Sequence, residues 1–268
     1  MSKGVLYDST KCIGCRACQV ACKQWNEMPA ETTTNTGSCE NPPQVSGYTL
    51  TKIRFNELEH DGKFHWVFTK IQCMHCEHPA CAEACLVGAF QKTPEGAVVY
   101  DDNKCIGCRY CMVACPFGIP CYEWDDPTPW VRKCSFCADR QAVGLKPACV
   151  TTCPTGALKY GERDDLIAEA HQRIAANRDK YVDYIYGEHE VGGTSWLYLS
   201  PVPFEKLGMP VVGQEAVTVN VERAVGAVPP VLVGVAAVMS GIYWLVKRRQ
   251  QPGGEDAPSK KEQVEVPK

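Results

Sequence analysis

Residues 11–22 read Lys-Cys-Ile-Gly-Cys-Arg-Ala-Cys-Gln-Val-Ala-Cys, and residues 104–115 read Lys-Cys-Ile-Gly-Cys-Arg-Tyr-Cys-Met-Val-Ala-Cys. The stretches differ at two positions only, which suggests that one unit was duplicated within the chain. In both, the spacing C-x2-C-x2-C-x3-C lets one short loop offer three thiolates to one site while the fourth points away. Gly14 and Gly107 lie inside these loops, where a residue without Cβ lets the backbone approach a ligand closely.

Two further groups of four cysteines have a different spacing. Each begins with C-x2-C and, after a longer loop, ends with Pro-Ala-Cys-x3-Cys. That loop has four residues in the earlier group and eleven in the later one. The four groups in chain order are Cys12, Cys15, Cys18 and Cys22; Cys73, Cys76, Cys81 and Cys85; Cys105, Cys108, Cys111 and Cys115; and Cys134, Cys137, Cys149 and Cys153.

Eighteen cysteines in 268 residues require a chemical explanation, and disulfides, zinc and iron–sulfur clusters compete. Disulfide scaffolds are typical of short secreted chains, whereas this chain is long and begins without an apolar run that would serve as a secretory signal. The last group alone would suit a zinc site built from two cysteine pairs. The triple loops favour 4Fe–4S clusters, because their spacing is that of bacterial ferredoxins. The sequence therefore predicts four 4Fe–4S clusters, with Cys39 and Cys121 as unligated thiols.

The ligands of each cluster follow in part from the same comparison, since the fourth cysteine of a motif in two-cluster ferredoxins binds the other cluster. The segment 73–115, with a β-hairpin predicted around Pro94-Glu95-Gly96, has the compact layout of such a two-cluster unit. The exchange predicts four ligand sets: Cys73, Cys76 and Cys81 with Cys115; Cys105, Cys108 and Cys111 with Cys85; Cys12, Cys15 and Cys18 with Cys153; and Cys134, Cys137 and Cys149 with Cys22. The spacing alone leaves other exchanges open.

Ligation by cysteine alone indicates one-electron relay, since every iron is coordinatively closed and none is open to a substrate. The sequence shows no nucleophile–base constellation and no phosphate-binding glycine-rich loop, so we expect no catalysis by this chain alone. A net charge of −3 argues against nucleic acid as a partner. His75, His78 and Lys133 stand beside the ligands and could tune a cluster, but we expect two plain loop histidines and a solvated lysine.

The sequence predicts an α+β fold of two ferredoxin-like double-cluster units from the internal repeat, plus one C-terminal transmembrane helix. Residues 1–160 form the four-cluster domain. Within it, two alternating runs around Asp61-Gly62 predict a hairpin insertion at about 47–71. Residues 161–223 follow as a helix, predicted over 164–181 from its apolar face, and a connecting segment.

The apolar segment 224–246 is predicted to anchor the chain in the lipid bilayer as a single pass. It carries no charge and would measure roughly 34 Å as a helix, enough to cross a bilayer core. Because Lys247-Arg248-Arg249 follow it, the positive-inside rule predicts a cytoplasmic C-terminus and a periplasmic cluster domain at the inner membrane. The tail 247–268 is predicted to be disordered. Without a signal of its own, the chain is expected to be exported with a partner that carries one.

Three features carry a family resemblance: the four-group cysteine pattern, the stretch at 11–22, and Pro-Ala-Cys-Val-Thr-Thr-Cys-Pro-Thr-Gly-Ala-Leu at 147–158. They resemble the iron–sulfur subunits of complex iron–sulfur molybdoenzymes, and among these the β subunits of membrane-bound respiratory formate dehydrogenases. Residues 139–144 and the single C-terminal helix also resemble those subunits. The resemblance covers about residues 1–246.

The resemblance implies two partner proteins. One is a catalytic subunit with molybdenum or tungsten in a molybdopterin-type cofactor, which oxidises formate to carbon dioxide. The other is a membrane cytochrome b that passes the electrons to quinone. The ligand exchange given above is also that family's pattern. Related nitrate reductase subunits replace one cysteine of the third group by tryptophan and hold a 3Fe cluster, whereas this chain keeps Cys108. Related dimethyl-sulfoxide reductase subunits lack the anchor, which counts against them.

Two alternatives stand beside this interpretation. The segments 193–200 and 203–208 resemble the iron–sulfur subunit of a membrane-bound nickel–iron hydrogenase, which also has a C-terminal helix. A structural or regulatory cluster protein that transfers no electrons is the other alternative, and the presence of four predicted clusters counts against it.

Overall fold

The computed structural model describes residues 2–250 except residue 36, residues 125–126 and residue 128. The chain divides into two compact units, Met1–Val219 and Asn220–Lys268. All eighteen cysteines belong to the first unit, while the second contains nearly all of the C-terminal helix.

A three-stranded sheet of order β8–β1–β9 forms the centre of the first unit. Its strands are β1 (Lys3–Asp8), β8 (Leu158–Glu162) and β9 (Trp196–Leu199), with β1 antiparallel to β8 and parallel to β9. Successive side chains of a strand point to opposite faces, so Val5 packs in one apolar core and Leu6 in another. The range 161–223 therefore contributes the strand β9 to the central sheet, in addition to the predicted helix and connecting segment.

The helix α6 (Arg163–Ala176) covers one face of the sheet. Leu166, Ala170 and Ile174 recur at helical spacing and pack with Leu6 in the second apolar core. The helix is shorter than the predicted 164–181, because Asn177 leaves the helical conformation with φ −143° and ψ 61°.

A buried ion pair ties α6 to the end of β1. Asp8 is fully buried, and its carboxylate accepts hydrogen bonds from Arg173 Nη1 and from the Tyr181 hydroxyl, both at 2.9 Å. Since a buried carboxylate needs such partners, these contacts fix the point from which the chain runs into Cys12.

The strands β2 (Lys52–His60) and β3 (Lys63–Ile71) form the hairpin predicted within 47–71. Asp61 and Gly62 make its two-residue turn, and both have positive φ, 51° and 69°. A turn of this kind matches the twist of the two strands, so the Asp-Gly signal in the sequence was sufficient to locate it.

The first strand of the hairpin begins later than the alternation from residue 48 predicts. The Ser46 hydroxyl accepts hydrogen bonds from the backbone N–H groups of Tyr48 and Thr49, at 3.1 and 3.0 Å. A side chain that satisfies backbone donors in this way competes with strand pairing, and β2 therefore starts at Lys52.

The remaining elements of the first unit are short. Two small antiparallel pairs are β4 (Phe90–Lys92) with β5 (Val98–Tyr100), which is the hairpin predicted around Pro94-Glu95-Gly96, and β6 (Cys121–Tyr122) with β7 (Val131–Arg132). The helices are α1 (Ala17–Trp25), α2 (Ala80–Glu83), α3 (Tyr110–Ala114), α4 (Ala138–Ala142) and α5 (Ala148–Thr151), with 3₁₀ turns at Asp102–Lys104, Glu190–Gly192 and Phe204–Leu207. All of these α-helices except α4 carry at least one predicted ligand cysteine.

The C-terminal helix α7 (Val219–Gln250) is long and apolar. Its part Arg223–Gln250, which contains an 18-residue window with a mean hydropathy of 2.0, is the one helix in the described part of the chain whose length and composition suit a membrane crossing. It extends beyond the predicted segment 224–246 at both ends, so Pro229 and Pro230 lie inside the helix instead of near its start. Of the predicted disordered tail, residues 247–250 continue α7, and 251–268 lie outside the described residues.

Candidate metal centres

The structure brings together the members of three of the cysteine sets that the ligand exchange predicts, and for the fourth it places Cys105 and Cys108 near Cys111. The predicted sets are four, each with three members from one sequence group and one from another. They are the Cys12 set (Cys12, Cys15, Cys18, Cys153), the Cys22 set (Cys22, Cys134, Cys137, Cys149), the Cys73 set (Cys73, Cys76, Cys81, Cys115) and the Cys85 set (Cys85, Cys105, Cys108, Cys111). Every cysteine is a free thiol. That these sets bind clusters stays a prediction.

The Cys12 set lines a small pocket. Its wall is apolar and includes Tyr7 and Leu158. These two residues are also opposite each other in the β1–β8 register, and β1 leads into Cys12 while β8 follows Cys153. Antiparallel pairing of the two strands thus brings Cys153, which is distant in sequence, to the loop that carries Cys12, Cys15 and Cys18.

The Cys73 set lines a second small pocket, whose wall also includes Val98, Ile119 and Lys133. Cys81 belongs to the short helix α2, and Pro79 precedes that helix at its N-terminal cap. The Pro-Ala-Cys pattern therefore positions the third thiol of this set at the start of a helix.

The Cys22 set is the most buried of the four. Its members are each less than a tenth exposed, and α1, which carries Cys22, packs against α5, which carries Cys149. Burial raises the pKa of Cys134, Cys137 and Cys149 to about 11. An apolar pocket disfavours thiolates, so this set suits a positively charged metal core that compensates them.

The Cys85 set adjoins a separate apolar cluster that includes Phe90, Val98 and Val131. Packing of α2 against α3 brings the chain after Cys81 close to Cys111. Burial, followed by the charges of Cys105 and Cys108, raises the pKa of Cys111 to about 11.

The two repeated loops share one backbone conformation. Gly14 and Arg16 have φ of 67° and 60°, and Gly107 and Arg109 have φ of 71° and 65°. Each arginine is the N-terminal cap of the helix that follows, α1 or α3. Left-handed residues at these positions curl the loop tightly, which agrees with a loop that presents several thiols to one point.

Backbone N–H groups donate to several of the thiols. Phe136 N lies 3.3 Å from Cys134 Sγ, and Ala89 N lies 3.2 Å from Cys85 Sγ. Burial alone would raise the pKa of Cys85, but the N–H donors of Ala89 and its neighbours outweigh it and lower that pKa. Donors of this kind stabilise thiolate ligands and tune a cluster.

His75 is fully buried, which corrects the prediction of a plain loop histidine; the same prediction for His78, whose side chain is exposed, is confirmed. The His75 ring stacks on Phe136 at a centroid distance of 4.9 Å, and its Nδ1 accepts a hydrogen bond from Val98 N at 2.9 Å. This pattern assigns the proton of the neutral ring to Nε2, an atom that has no partner among the described residues.

The residues present fit 4Fe–4S clusters. Each predicted set offers four thiols, the donor type that such clusters require, and two of the sets line pockets. The Nε2–H of His75 is a buried donor without a partner, which is costly unless an acceptor is supplied. A cluster sulfide would be such an acceptor.

Three lysines lie close to the thiol sets, and the sequence pointed to one of them only. Lys133 is buried, which corrects the prediction of a solvated side chain; it donates to the carbonyls of Val98 and Cys134. Lys92 donates to Cys76 O at 3.0 Å and pairs with Glu77 at 3.2 Å. Lys70 is the most buried, and the alternation of β3 could have revealed it, since it shares a face with Phe68.

The comparisons with known proteins agree with this donor chemistry. Residues 64–163 match the family described as 4Fe-4S dicluster domain, and residues 3–24 match a 4Fe-4S binding domain. A protein of Nitratidesulfovibrio vulgaris is 42% identical over 259 residues, which cover 95% of this chain and 70% of that protein. The iron-sulfur subunit of the nitrate-inducible formate dehydrogenase of Escherichia coli is 42% identical over 197 residues, covering 72% of this chain. The chain belongs to the formate dehydrogenase iron–sulfur subunit family.

Within this family the chain spans part of its relatives' length, since the match covers 66% of the Escherichia coli formate dehydrogenase subunit. Hydrogenase-2 operon protein HybA of Escherichia coli O157:H7 is 34% identical over 293 residues. That match covers 95% of this chain and 88% of HybA. The family relationship therefore extends to a protein of a hydrogenase operon.

We expect Gly14→Ala to destabilise this family member more than the matched substitution Gly107→Ala. Both place a Cβ on a left-handed residue, at a cost of about 1–2 kcal/mol. Only the new Cβ at Gly14 would meet a neighbour, a Phe68 ring atom at 2.8 Å, whereas the one at Gly107 meets nothing within 4 Å. Overpacking of this kind adds about 1–3 kcal/mol, which guanidinium unfolding of the anaerobically purified full chain will measure.

A third variant separates the contact from the backbone effect. Gly14→Ala combined with Phe68→Leu should recover part of the loss, because leucine leaves room for the new Cβ. An equal loss in Gly14→Ala and Gly107→Ala would contradict a contact between Phe68 and the first loop.

Proposed function

We propose that this chain is an electron-transfer subunit that holds four 4Fe–4S clusters, one in each thiol set. The observation that carries the proposal is the gathering of twelve thiols into three of the predicted sets of four, two of which line pockets. The family relationship and the matched 4Fe-4S domains support it. The ligands would be Cys12, Cys15, Cys18, Cys153, Cys22, Cys134, Cys137, Cys149, Cys73, Cys76, Cys81, Cys115, Cys85, Cys105, Cys108 and Cys111.

The chemistry that such clusters supply is one-electron transfer. The chain's own residues hold and insulate them: four thiolates close each coordination shell, and apolar walls such as Ile53 and Val98 exclude water. Backbone donors such as Phe136 N polarise the sulfurs. Since no set leaves a metal position open to a substrate, this chain alone would turn over no substrate.

The partners would be a catalytic subunit with a molybdopterin-type cofactor, which oxidises formate, and a membrane cytochrome b that reduces quinone. The formate dehydrogenase relatives support the first of these. Exposed apolar residues beside two of the thiol sets support docking at two places: Ile13 and Val20 in the first repeated loop and helix, Ile106 and Val113 in the second. These residues occupy equivalent positions of the two repeats.

A second candidate is the iron–sulfur subunit of a membrane-bound nickel–iron hydrogenase. One observation favours it: the HybA match covers 95% of this chain, whereas the Escherichia coli formate dehydrogenase match covers 72%. The segments 193–200 and 203–208, which resemble the hydrogenase branch, point in the same direction.

Elemental analysis of the complex purified anaerobically through this subunit tests both candidates. We expect about sixteen iron atoms per chain beyond those of the partners, four for each cluster. Co-purifying molybdenum or tungsten, with clusters that formate reduces, would support the formate dehydrogenase assignment; nickel, with reduction by hydrogen, would replace it by the hydrogenase. Zinc in place of iron would contradict the proposal, and clusters that neither substrate reduces would favour a structural or regulatory cluster protein.

Double cysteine variants test the ligand exchange. Cys73→Ser with Cys115→Ser should disturb one cluster and cost at most about four irons, because both belong to the Cys73 set. Cys105→Ser with Cys115→Ser should disturb two clusters and cost up to about eight irons. Cys121→Ser is the matched control and should keep the full iron content. The opposite order of the two double variants would contradict the exchange.

We also propose that α7 anchors the chain in the inner membrane as a single pass, with the cluster domain in the periplasm and the C-terminus in the cytoplasm. The length and composition of Arg223–Gln250 support a crossing helix. The basic residues Lys247, Arg248 and Arg249 in its last turn support this orientation. Transport of the folded chain with a partner that carries an export signal would account for the location.

Two epitope tags would test this topology, one inserted at the exposed hairpin turn Asp61-Gly62 and one after Lys268. Protease added to spheroplasts should remove the hairpin tag and leave the C-terminal tag, and inverted vesicles should give the reverse. The opposite pattern would contradict the orientation, and release of the chain from membranes by alkaline carbonate would contradict the anchor.

A further inference from the structure

Lys70 is a charged side chain in the interior of the first unit. It is 1% exposed, and its ammonium donates to the Thr51 hydroxyl and, at 3.1 Å, to Gln72 Oε1. The same nitrogen lies 4.9 Å from the centroid of the Trp196 ring. The three N–H donors of an ammonium thus have three partners, and none of the ion pairs formed by the described residues involves Lys70. Its charge is therefore held in place without a carboxylate to neutralise it.

The thiols with which Lys70 interacts belong to two different sets. Cys18 comes from the Cys12 set, and Cys22, Cys134 and Cys149 come from the Cys22 set. The interaction is reciprocal, since Lys70 counteracts the effect of burial on each of these four thiols. The Trp196 ring beneath the ammonium belongs to the apolar core that also contains Cys149 of the Cys22 set, and Cys12 and Cys18 of the Cys12 set pack against that core. The charge is therefore buried close to members of both sets, in a region from which water is excluded.

We propose that Lys70 is a fixed positive charge shared by the clusters of the Cys12 and Cys22 sets, which raises the reduction potentials of both. The inference rests on the proposed function. Reduction adds one electron, and therefore one negative charge, to a cluster, while no bond or proton changes place. A nearby cation stabilises the more negative state, and screening inside the protein is weak. Lys70 is a positioning charge, because it touches no substrate and no metal.

The other two buried lysines are arranged differently, which makes the inference specific. Lys92 stands beside the Cys73 set, but the Glu77 carboxylate at 3.2 Å neutralises much of its charge. Lys133 lines the pocket of the Cys73 set and donates to backbone carbonyls. Both therefore adjoin the Cys73 set, although Lys133 also donates to the backbone of Cys134 in the Cys22 set. Removal of each of the three charges should affect a different combination of clusters.

The test is a redox titration, followed by electron paramagnetic resonance, of the intact complex purified anaerobically with its partners. Lys70→Met should lower the midpoint potentials of two of the four one-electron waves by about 59 mV each. For a one-electron couple, this shift corresponds to a change of about tenfold in the equilibrium constant for reduction. Lys63→Met, an exposed lysine on the same strand, should move none. Lys133→Met should move at least one wave that Lys70→Met leaves in place.

The outcomes separate the inference from the proposed function. An unaltered chain with far fewer than about sixteen irons would overturn the proposed function itself. A full iron content with four waves unmoved by Lys70→Met would overturn the role of Lys70 and leave the function intact. A shift of a single wave would overturn the sharing, as would an equal shift of all four. Should Lys70→Met lose iron, Lys70→Gln retains polar contacts with Thr51 and Gln72 and gives the same comparison.

Discussion

Each thiol set is completed by a cysteine from a distant part of the chain, and this requirement governs the rest of the fold. The Cys12 set closes because β1 pairs with β8, which places Tyr7 opposite Leu158 and brings Cys153 to the first loop. In the Cys22 set, packing of α1 against α5 brings Cys22 close to Cys149. The short helices are too small to be stable alone, so they depend on packing against the rest of the domain, and the proposed metal sites would stabilise them further.

The four sets differ electrostatically although their ligands are the same. Lys70 is buried close to members of the Cys12 and Cys22 sets without a carboxylate partner, while the charge of Lys92 beside the Cys73 set is paired with Glu77. Charges in the interior act on one another much more strongly than at the surface. Clusters bound in these sets, as we propose, would therefore acquire different potentials through the placement of a few buried side chains, and the direction of electron flow would depend on those differences.

The sequence predicted those features that follow from local spacing. The cysteine groups, the Asp61-Gly62 turn and the apolar stripe of α6 all depend on residues close in sequence, and the structure has each of them. It did not predict β9, whose four residues are all buried and so lack the alternation that marks a strand. Nor did it predict the buried Lys70 and His75. Only contacts between the two ends of the domain create an interior site where a cation or an unpaired ring N–H is acceptable.

The hairpin of β2 and β3 is an insertion by sequence, yet one face of β3 belongs to the metal centres. Phe68 packs against the loop at Gly14, and its carbonyl accepts a hydrogen bond from the Tyr7 hydroxyl at 2.7 Å. Lys70, two residues on, is buried close to members of two thiol sets, and its carbonyl accepts from the Tyr198 hydroxyl at 3.0 Å. The strand then runs directly into the Cys73 set. Because successive side chains of a strand point to opposite faces, the alternation of β3 places the charge of Lys70 in the interior. In the proposed function, β3 would therefore be a structural part of the electron path.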